Sequence, residues 1–225
     1  TAKMEEDQRV KHLSVDFMDG DDFRFIDSDD VIKVLRLHGF KITGEKVDSI
    51  SRSSIKEAVK DISEVKDANV YYTPDEELHI QIWQRKPVVR IKNGKYDFYL
   101  DEENSPLPFS SRFSPKVLVI TGTSDVKLAQ NKLFDLAVYI QKDEFFNSFI
   151  QEIHVNQKEQ LEIIPRVGDH QIFMGETTNY EWKLKKLMAF YQKAIPNLGW
   201  NKYNSIDLRF GDQVVCKTIE TEFKN

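Results

Sequence analysis

The N-terminal part of the chain carries a succession of hydrophobic patterns that limits the folds open to it. Residues 10–17 alternate apolar and polar side chains, as a half-buried strand does. Two segments with helical spacing follow. Two further alternating runs, 68–72 and 78–82, are separated by a Thr-Pro-Asp-Glu-Glu turn. The order strand, helix, helix, strand, strand predicts a small α+β unit with two helices on one face of a three-stranded sheet.

Both helices of this unit carry start signals. The first has N-cap candidates at 26–28 and a glycine, Gly39, at its expected end. In the second, Ser54 and Glu57 have the spacing of a capping box, in which each side chain binds the other residue's backbone. Apolar residues at helical spacing follow each start, so we expect two short amphipathic helices.

From Ile91 onward the sequence changes to short strand patterns separated by loops. Residues 92–95 read Lys-Asn-Gly-Lys, which is typical of a hinge, and we place the domain boundary there, giving domains 1–91 and 92–225. The second domain is predicted to contain strands at 96–100, 116–120, 150–155, 161–164 and 171–174 and helices at 125–141 and 180–195.

The last predicted helix has an apolar side and a basic side. Its inward residues are predicted to be Leu184, Leu187, Met188 and Tyr191. Its outward residues, expected to form a solvated face, are Lys183, Lys185, Lys186 and Gln192. Pro196 and Gly199 are predicted to end the helix.

The C-terminal strand region spans residues 203–217. Ile206, Leu208 and Phe210 alternate with Asp207 and Arg209, which predicts a strand with one buried and one polar face. The Gly-Asp pair that follows either turns a tight hairpin or forms a bulge within one long strand, and the sequence allows both. Only a polar tail comes after it, so we expect the outer edge to stay open. An open edge is either a binding surface or an aggregation hazard.

Composition excludes several classes of protein. The formal net charge of −5, with both signs interspersed and no basic cluster, argues against general nucleic-acid binding. No apolar run approaches the roughly 20 residues that span a bilayer, and no signal peptide is present, so the segment is expected to be soluble. Thr1 in place of a methionine indicates a fragment or a processed form. The single cysteine, Cys216, is expected to be a small buried hydrophobe.

No catalytic constellation is visible. The five histidines are scattered at His12, His38, His79, His154 and His170. Paired-histidine zinc motifs, a nucleophile elbow, a P-loop, a dinucleotide fingerprint and an EF-hand loop are all missing. We therefore predict a protein that is not an enzyme, with no catalytic, metal-binding or cofactor-binding residues. A glycosidase-type carboxylate pair assembled by folding is the enzymatic alternative.

An ordered series of short motifs carries a family resemblance. After the βααββ unit come W-Q-R-K-P-V-V-R at 83–90, Y-D-F-Y-L-D-E-E-N-S-P-L-P at 96–108, V-L-V-I-T-G at 117–122, I-Q-E-I-H-V at 150–155, I-F-M-G at 172–175 and I-D-L-R-F-G-D-Q-V-V-C-K at 206–217. The series resembles the extracytoplasmic part of the bacterial cell-division protein FtsQ, called DivIB in Gram-positive bacteria. The P-V-V-R and Q-V-V-C-K patterns resemble its Bacteroidetes branch.

The resemblance implies an α+β fold in which a βααββ POTRA domain precedes a mainly antiparallel β-domain with flanking helices. It also implies a single N-terminal membrane helix, which this chain lacks. That helix would hold both domains on the periplasmic side of the inner membrane at the division septum.

The resemblance further implies a non-enzymatic divisome scaffold that binds FtsB, and through it FtsL, by adding an FtsB strand to its last strand. Other septal membrane proteins would contact the POTRA domain. By motif match, the partner-binding residues are Arg209, Phe210, Gly211, Asp212, Gln213, Val214, Val215 and Cys216. Family members often carry tyrosine where this chain has Phe210, so no phenolic hydrogen bond to the partner is expected.

Other interpretations of the same residues stay open. Arg209 could pair with a carboxylate on a neighbouring strand, and by alternation Phe210 could belong to the core. A POTRA-type peptide-binding module of an outer-membrane assembly or secretion pathway is the alternative function. Such modules usually occur as tandem POTRA repeats or before a barrel, and no second copy of the pattern follows Arg90. A cell-wall hydrolase is a further alternative.

Overall fold

The computed structural model describes residues 8–20, 24–122, 125–200 and 202–218. The chain divides into two compact units. Unit 1 comprises Thr1–Lys86 with Ser110–Pro115, and unit 2 comprises Pro87–Phe109 with Lys116–Asn225. Among the described residues, no helix is both long enough and apolar enough to cross a bilayer.

Unit 1 has the predicted βααββ order. Its elements are β1 (His12–Phe17), α1 (Ser28–Leu37), a short 3-10 turn (Val47–Ser49), α2 (Arg52–Lys60), β2 (Val65–Tyr72) and β3 (Glu77–Gln84). β3 is the central strand, parallel to β1 and antiparallel to β2. Apolar residues of both helices pack on the sheet, with Val31, Leu35, Ile55 and Val59 fully buried.

The caps of the two helices differ in how well the sequence predicts them. At α1, the Asp27 side chain accepts from the backbone N of Asp30, and the Asp30 carboxylate accepts from the N of Asp27, which is a capping box. The capping box predicted at Ser54 is wrong. The N-cap of α2 is Ser51, whose hydroxyl oxygen accepts from the N of Ser54 at 3.3 Å. A serine three residues upstream therefore starts the helix one turn earlier.

The division between the units falls earlier than Ile91. β4 (Pro87–Lys92) pairs with β5 (Asp97–Asp101) and with β7 (Leu118–Gly122), so it belongs to the second sheet. Residues 92–95 are not a hinge. They turn the β4–β5 hairpin, where the Asn93 side chain accepts from the backbone N of Lys95 and of Tyr96.

The chain also returns to unit 1 at Ser110–Pro115, which the sequence did not predict. Arg112 forms ion pairs with Asp27 and Asp30 at the start of α1. Phe113 lies edge-on to Phe25, with ring centroids 5.1 Å apart. These long-range contacts assign the segment to unit 1.

Unit 2 is built on one mixed sheet of nine strands within the described part of the chain. Besides β4, β5 and β7 it contains β6 (Pro106–Pro108), β8 (Ile150–Val155), β9 (Leu161–Pro165), β10 (Gln171–Gly175), β11 (Tyr203–Asp207) and β12 (Val215–Thr218). The strand order is β12-β11-β10-β9-β8-β7-β4-β5-β6. Five of its pairings are antiparallel and three are parallel, so the mainly antiparallel prediction is confirmed.

Helices flank this sheet. The predicted helix at 125–141 consists of α3 (Val126–Leu128), a π-helical stretch (Ala129–Leu133) and α4 (Phe134–Lys142), and α5 (Glu144–Phe149) follows. The last helix is α6 (Tyr180–Leu198). Pro196 does not end it, because the helix continues past the proline to Leu198. Gly199 ends it with a φ of 74°.

Candidate functional site

The two edges of the nine-stranded sheet differ in character. β6 carries Pro106 and Pro108, so only Leu107 keeps a backbone N–H there. β12 contains no proline, and all four of its residues keep both backbone groups. Prolines on an edge strand obstruct pairing with a further strand. β12 is therefore the edge that retains the groups needed to accept one.

β12 is bonded on one side only. It runs antiparallel to β11, with Cys216 opposite Ile206 and Val215 opposite Asp207. Within residues 8–218, no described strand lies on its other side. Neighbouring residues of a strand point their backbone groups to opposite sides, so one of Val215 and Cys216 directs its N–H outward.

A loop of residues 208–214 connects β11 to β12, so the Gly-Asp pair belongs to a hairpin and not to a bulge. Gly211 and Asp212 form the tip, where the N of Gln213 donates to the carbonyl oxygen of Phe210 at 3.1 Å. Of the predicted partner-binding residues, only Val215 and Cys216 lie on the edge strand. The six residues from Arg209 to Val214 lie in the loop beside it.

The predicted strand ends early because Asp207 competes with the sheet for a backbone group. Its carboxylate accepts from the N of Arg209 at 3.0 Å, which closes a local turn. The alternation therefore stops being informative after Leu208. Ile206 and Leu208 are buried at 1% exposure, whereas Phe210 is 51% exposed, so placing Phe210 with the core is wrong.

Lys186 on α6 holds this loop in place. Its ammonium is buried and lies within hydrogen-bond distance of four loop carbonyl oxygens, which share its three N–H donors: Leu208 at 3.0 Å, Phe210 at 2.8 Å, Gly211 at 2.6 Å and Gln213 at 3.1 Å. Hydrogen bonds from a charged donor are stronger than neutral ones, and these converge on a single atom. The loop conformation, and with it the start of β12, is therefore fixed by one side chain.

The burial of Lys186 contradicts the prediction that it faces solvent with Lys183 and Lys185. Burial lowers the pKa of the Lys186 ammonium, and the carboxylates of Asp212 and Asp207 oppose that shift. No sequence signal separates Lys186 from its two neighbours, because its partners are backbone carbonyls of a loop that is distant along the chain.

Arg209 is bound within its own turn. Its Nε donates to the Asp207 carboxylate at 2.9 Å and its Nη2 to the second carboxylate oxygen, so two of the five N–H donors are used. The guanidinium lies 5.4 Å from the centroid of the Phe173 ring. The hydrogen bonds from Arg209 lower the pKa of Asp207. The expected ion pair exists, but its acid lies two residues away on β11.

Exposed apolar side chains lie on the edge strand, in the loop and on helix α6 near the loop. Phe210 and Trp182 are each 51% exposed and Val215 is 40% exposed. Beside them, a groove of about 420 Å³ between α6 and the loop is lined by Phe190 and Val214 among others. Apolar surface next to an open strand edge is the composition of a protein-binding site.

A metal site does not assemble in the part of the chain that the structure describes. No three His, Cys, Asp or Glu side chains there come close enough together to hold an ion. The half-buried Cys216 has a raised pKa because of that burial, which keeps its thiol protonated.

Comparison with known proteins gives two family matches. The family described as FtsQ/DivIB, C-terminal related, matches residues 86–217, which is more than half of the chain. The POTRA-like domain family matches residues 8–83. No curated protein matches the sequence. A similar solved structure is the major extracytoplasmic domain of the trans isomer of the cell-division protein DivIB from Geobacillus stearothermophilus. The two are 15% identical over 51% of this chain and 97% of that chain, with a TM-score of 0.35.

Proposed function

Because the chain belongs to the FtsQ/DivIB family, whose C-terminal region matches residues 86–217, we propose that it is a non-enzymatic scaffold of the bacterial division machinery. Its β12 edge takes up a strand from an FtsB-type partner, and FtsL is bound through that partner. The observation that most supports this proposal is the open, proline-free β12 edge next to a loop held by Lys186. A strand edge fixed before binding loses little conformational entropy when a partner adds to it.

Backbone pairing alone is too weak for stable binding. A strand added along four residues gains about four hydrogen bonds, at about 1 kcal/mol net each. Micromolar affinity needs about 8 kcal/mol. The remainder has to come from side chains: Val215 on β12 and Phe210 in the loop are exposed, and the exposed Trp182 lines a cavity with the loop residues Arg209 and Gly211. We therefore assign the loop the role of apolar contact and β12 the role of strand template.

Arg209 sets the electrostatics of this surface. Its guanidinium keeps donors beyond the two on Asp207, and its side chain is partly exposed. An acidic group on the partner would complete those bonds. A surface charge pair of this kind contributes more to the association rate than to affinity.

The location follows from the same proposal. A division scaffold of this family acts outside the cytoplasmic membrane, so we assign both units to the periplasmic side of the inner membrane at the septum. Septal membrane proteins other than FtsB and FtsL would contact the POTRA-like unit.

Titration of the FtsB–FtsL extracytoplasmic segment into the purified chain tests the proposal. Val215→Pro and Cys216→Pro each remove one donor, and whichever donor points outward is lost without harm to the β11 pairing. That variant is expected to fold normally and to lose binding in calorimetry, while Val215→Ala and Cys216→Ala bind at most a few-fold more weakly.

Circular dichroism and the melting temperature of each variant provide the control, because the inward proline breaks the β11 pairing. Wild-type binding by the folded proline variant would refute strand addition at β12. Separately, turnover of peptidoglycan that a single carboxylate substitution abolishes would refute the non-enzymatic scaffold.

A further inference from the structure

The end of helix α1 in unit 1 combines apolar and basic side chains within six residues. Residues 36–41 read Arg-Leu-His-Gly-Phe-Lys, with no aspartate or glutamate among them. Arg36 and Leu37 lie in the last turn of the helix, His38 is its C-cap, and the rest of the segment follows. In a chain whose net charge is −5, this is a local reversal of sign.

Leu37 is the most exposed large apolar side chain in the described part of the chain. It is 76% exposed, whereas the next two, Trp182 and Phe210, are 51% exposed. A single exposed leucine is ordinary on a protein surface. This one stands out because basic side chains surround it and an apolar groove opens at the same end of α1.

A Schellman motif fixes the segment. The N of Phe40 donates to the carbonyl oxygen of Leu35 at 2.9 Å, and the N of Gly39 donates to that of Arg36 at 3.0 Å. Gly39 has a φ of 80°, which a residue with a Cβ adopts only under strain. Because the backbone of the segment is already ordered, little conformational entropy is lost when it binds a ligand.

The groove has a volume of about 600 Å³ and lies between α1, the loop after it and the start of β1. Its apolar lining includes the partly exposed Leu13, Ile32 and Phe40. Arg36 and Lys41 also line it, and both are exposed without a carboxylate partner in the described part of the chain. No aspartate or glutamate among the described residues lines the groove.

The position of Leu37 indicates the shape of the ligand. An α-helix turns by about 100° per residue, so Leu37 points to a different side of α1 from Arg36, and it does not line the groove. A peptide lying in the groove would leave Leu37 in water, whereas a surface that covers the end of the helix contacts both. A bilayer of acidic lipids supplies negative charge and apolar depth over such an area.

We propose that the end of α1 binds the surface of a membrane rich in acidic phospholipids. Arg36 and Lys41 contact lipid phosphates, and Leu37 enters the boundary between headgroups and acyl chains. The inference rests on the proposed location of unit 1 beside the inner membrane, but not on strand addition at β12. A contact of this size is reversible, so it orients unit 1 on a bilayer and does not anchor the chain.

Sedimentation of the whole purified chain with lipid vesicles tests the charge requirement. Phosphatidylglycerol vesicles are expected to bind the chain roughly tenfold or more tightly than phosphatidylcholine vesicles, and less tightly at high salt. Arg36→Gln together with Lys41→Gln is expected to weaken binding to phosphatidylglycerol by roughly tenfold. Lys127→Gln together with Lys142→Gln removes the same charge from exposed positions of unit 2, and is expected to bind normally.

The apolar contact has its own matched pair of variants. Leu37→Ser is expected to weaken vesicle binding a few-fold, whereas Leu198→Ser, at a position that is 46% exposed in unit 2, is expected to leave it unchanged. Circular dichroism and the melting temperature show that each variant is folded.

A gain of binding tests the same surface in the opposite direction. The carboxylate of Asp61 lies 3.6 Å from the Nε2 of His38 and brings a negative charge to the end of α1. Asp61→Asn is therefore expected to strengthen binding to phosphatidylglycerol vesicles a few-fold. An unfolded variant would not give this result together with an unchanged melting temperature.

Amide hydrogen exchange with phosphatidylglycerol vesicles is expected to slow in residues 36–41. Equal binding to the two kinds of vesicle, or binding that survives both the double charge removal and Leu37→Ser, would overturn the proposal. Binding of a glutamate-rich peptide by a chain that ignores phosphatidylglycerol vesicles would overturn it as well. None of these measurements uses the FtsB–FtsL segment, so their failure leaves strand addition at β12 standing.

Discussion

The ammonium of Lys186 donates a 2.6 Å hydrogen bond to the carbonyl oxygen of Gly211, and so ties the middle of helix α6 to the tip of the β11–β12 loop. Three further carbonyl oxygens of the loop share the same ammonium. A lysine buried without such acceptors would be costly, because a desolvated charge needs partners. The pair therefore links the last helix to the position of the edge strand.

Replacing Lys186 with methionine is expected to loosen the loop. The variant loses the charged donor of four carbonyl groups, and we expect a loss of about 2–4 kcal/mol in the free energy of unfolding. Denaturant unfolding measures this change, and faster amide exchange in residues 208–214 would locate it. Lys185→Met, on the exposed side of α6, is the matched control and is expected to change stability by less than about 0.5 kcal/mol.

A Lys186→Met chain with the stability and loop exchange of wild type would show that the ammonium does not fix the loop. Weakened partner binding in this variant, with β12 still folded, would show that the loop contributes to the interface.

Stability of unit 1 is expected to depend on pH through His79. Its hydrogen bond with Asp16 across the β1–β3 pairing, at 2.9 Å, raises the pKa of His79, with Glu77 adding to the effect and burial opposing it. A histidine whose pKa is raised in the folded state contributes its full stabilisation at pH values below its unfolded-state pKa, about 6.5. This contribution is lost as the pH rises through the folded-state pKa.

The His79→Gln variant is therefore expected to be less stable than wild type by a margin that is larger at about pH 5.5 than at about pH 8.5. Denaturant unfolding at both pH values measures this difference in stability, and amide hydrogen exchange in β1 measures the local effect. A margin independent of pH would contradict the role of this ion pair.

Gly175 is expected to support the position of Arg209. It has a φ of 73°, and a Cβ there would lie 2.9 Å from the Cγ of Arg209. Gly175→Ala therefore displaces the arginine stem and adds backbone strain of about 1–2 kcal/mol. We expect lower stability together with weaker binding of the FtsB–FtsL segment.

The matched substitution is Gly211→Ala. A Cβ on Gly211 would meet no heavy atom within 4 Å, and the residue has no positive φ, so this change is expected to leave stability nearly unaltered. Equal effects of the two substitutions on stability would contradict the close approach at Gly175.

The sequence predicted most of the secondary structure because alternation and helical spacing are local signals. The burial of Lys186 could not be predicted, because its acceptors lie in a loop more than twenty residues further along the chain. No sequence pattern encodes the conformation of that loop. Alternation alone placed Phe210 with the core because the turn between Asp207 and Arg209 interrupts a pattern that otherwise continues. The division between the units falls before Ile91 because β4 pairs with β5 and β7, and residues 92–95 turn a hairpin although their sequence is typical of a linker.

The sequence predicted that the edge at the last strand is open. It did not predict that the opposite edge of the same sheet is obstructed. The sequence indicates that little follows the last strand, whereas the opposite edge at β6 is recognisable only once the strand order is known. Pro106 and Pro108 then explain why one edge is obstructed and the other is not.

Amide hydrogen exchange with and without the FtsB–FtsL extracytoplasmic segment tests strand addition most directly, because one sheet supplies both the site and its control. The account predicts that the outward amides of β12 exchange at least roughly tenfold more slowly in the complex, since they gain backbone hydrogen bonds. Leu107 on β6, between two prolines, should exchange at an unchanged rate. Unchanged exchange in β12 while the partner is bound, or equal slowing at Leu107, would contradict strand addition at this edge.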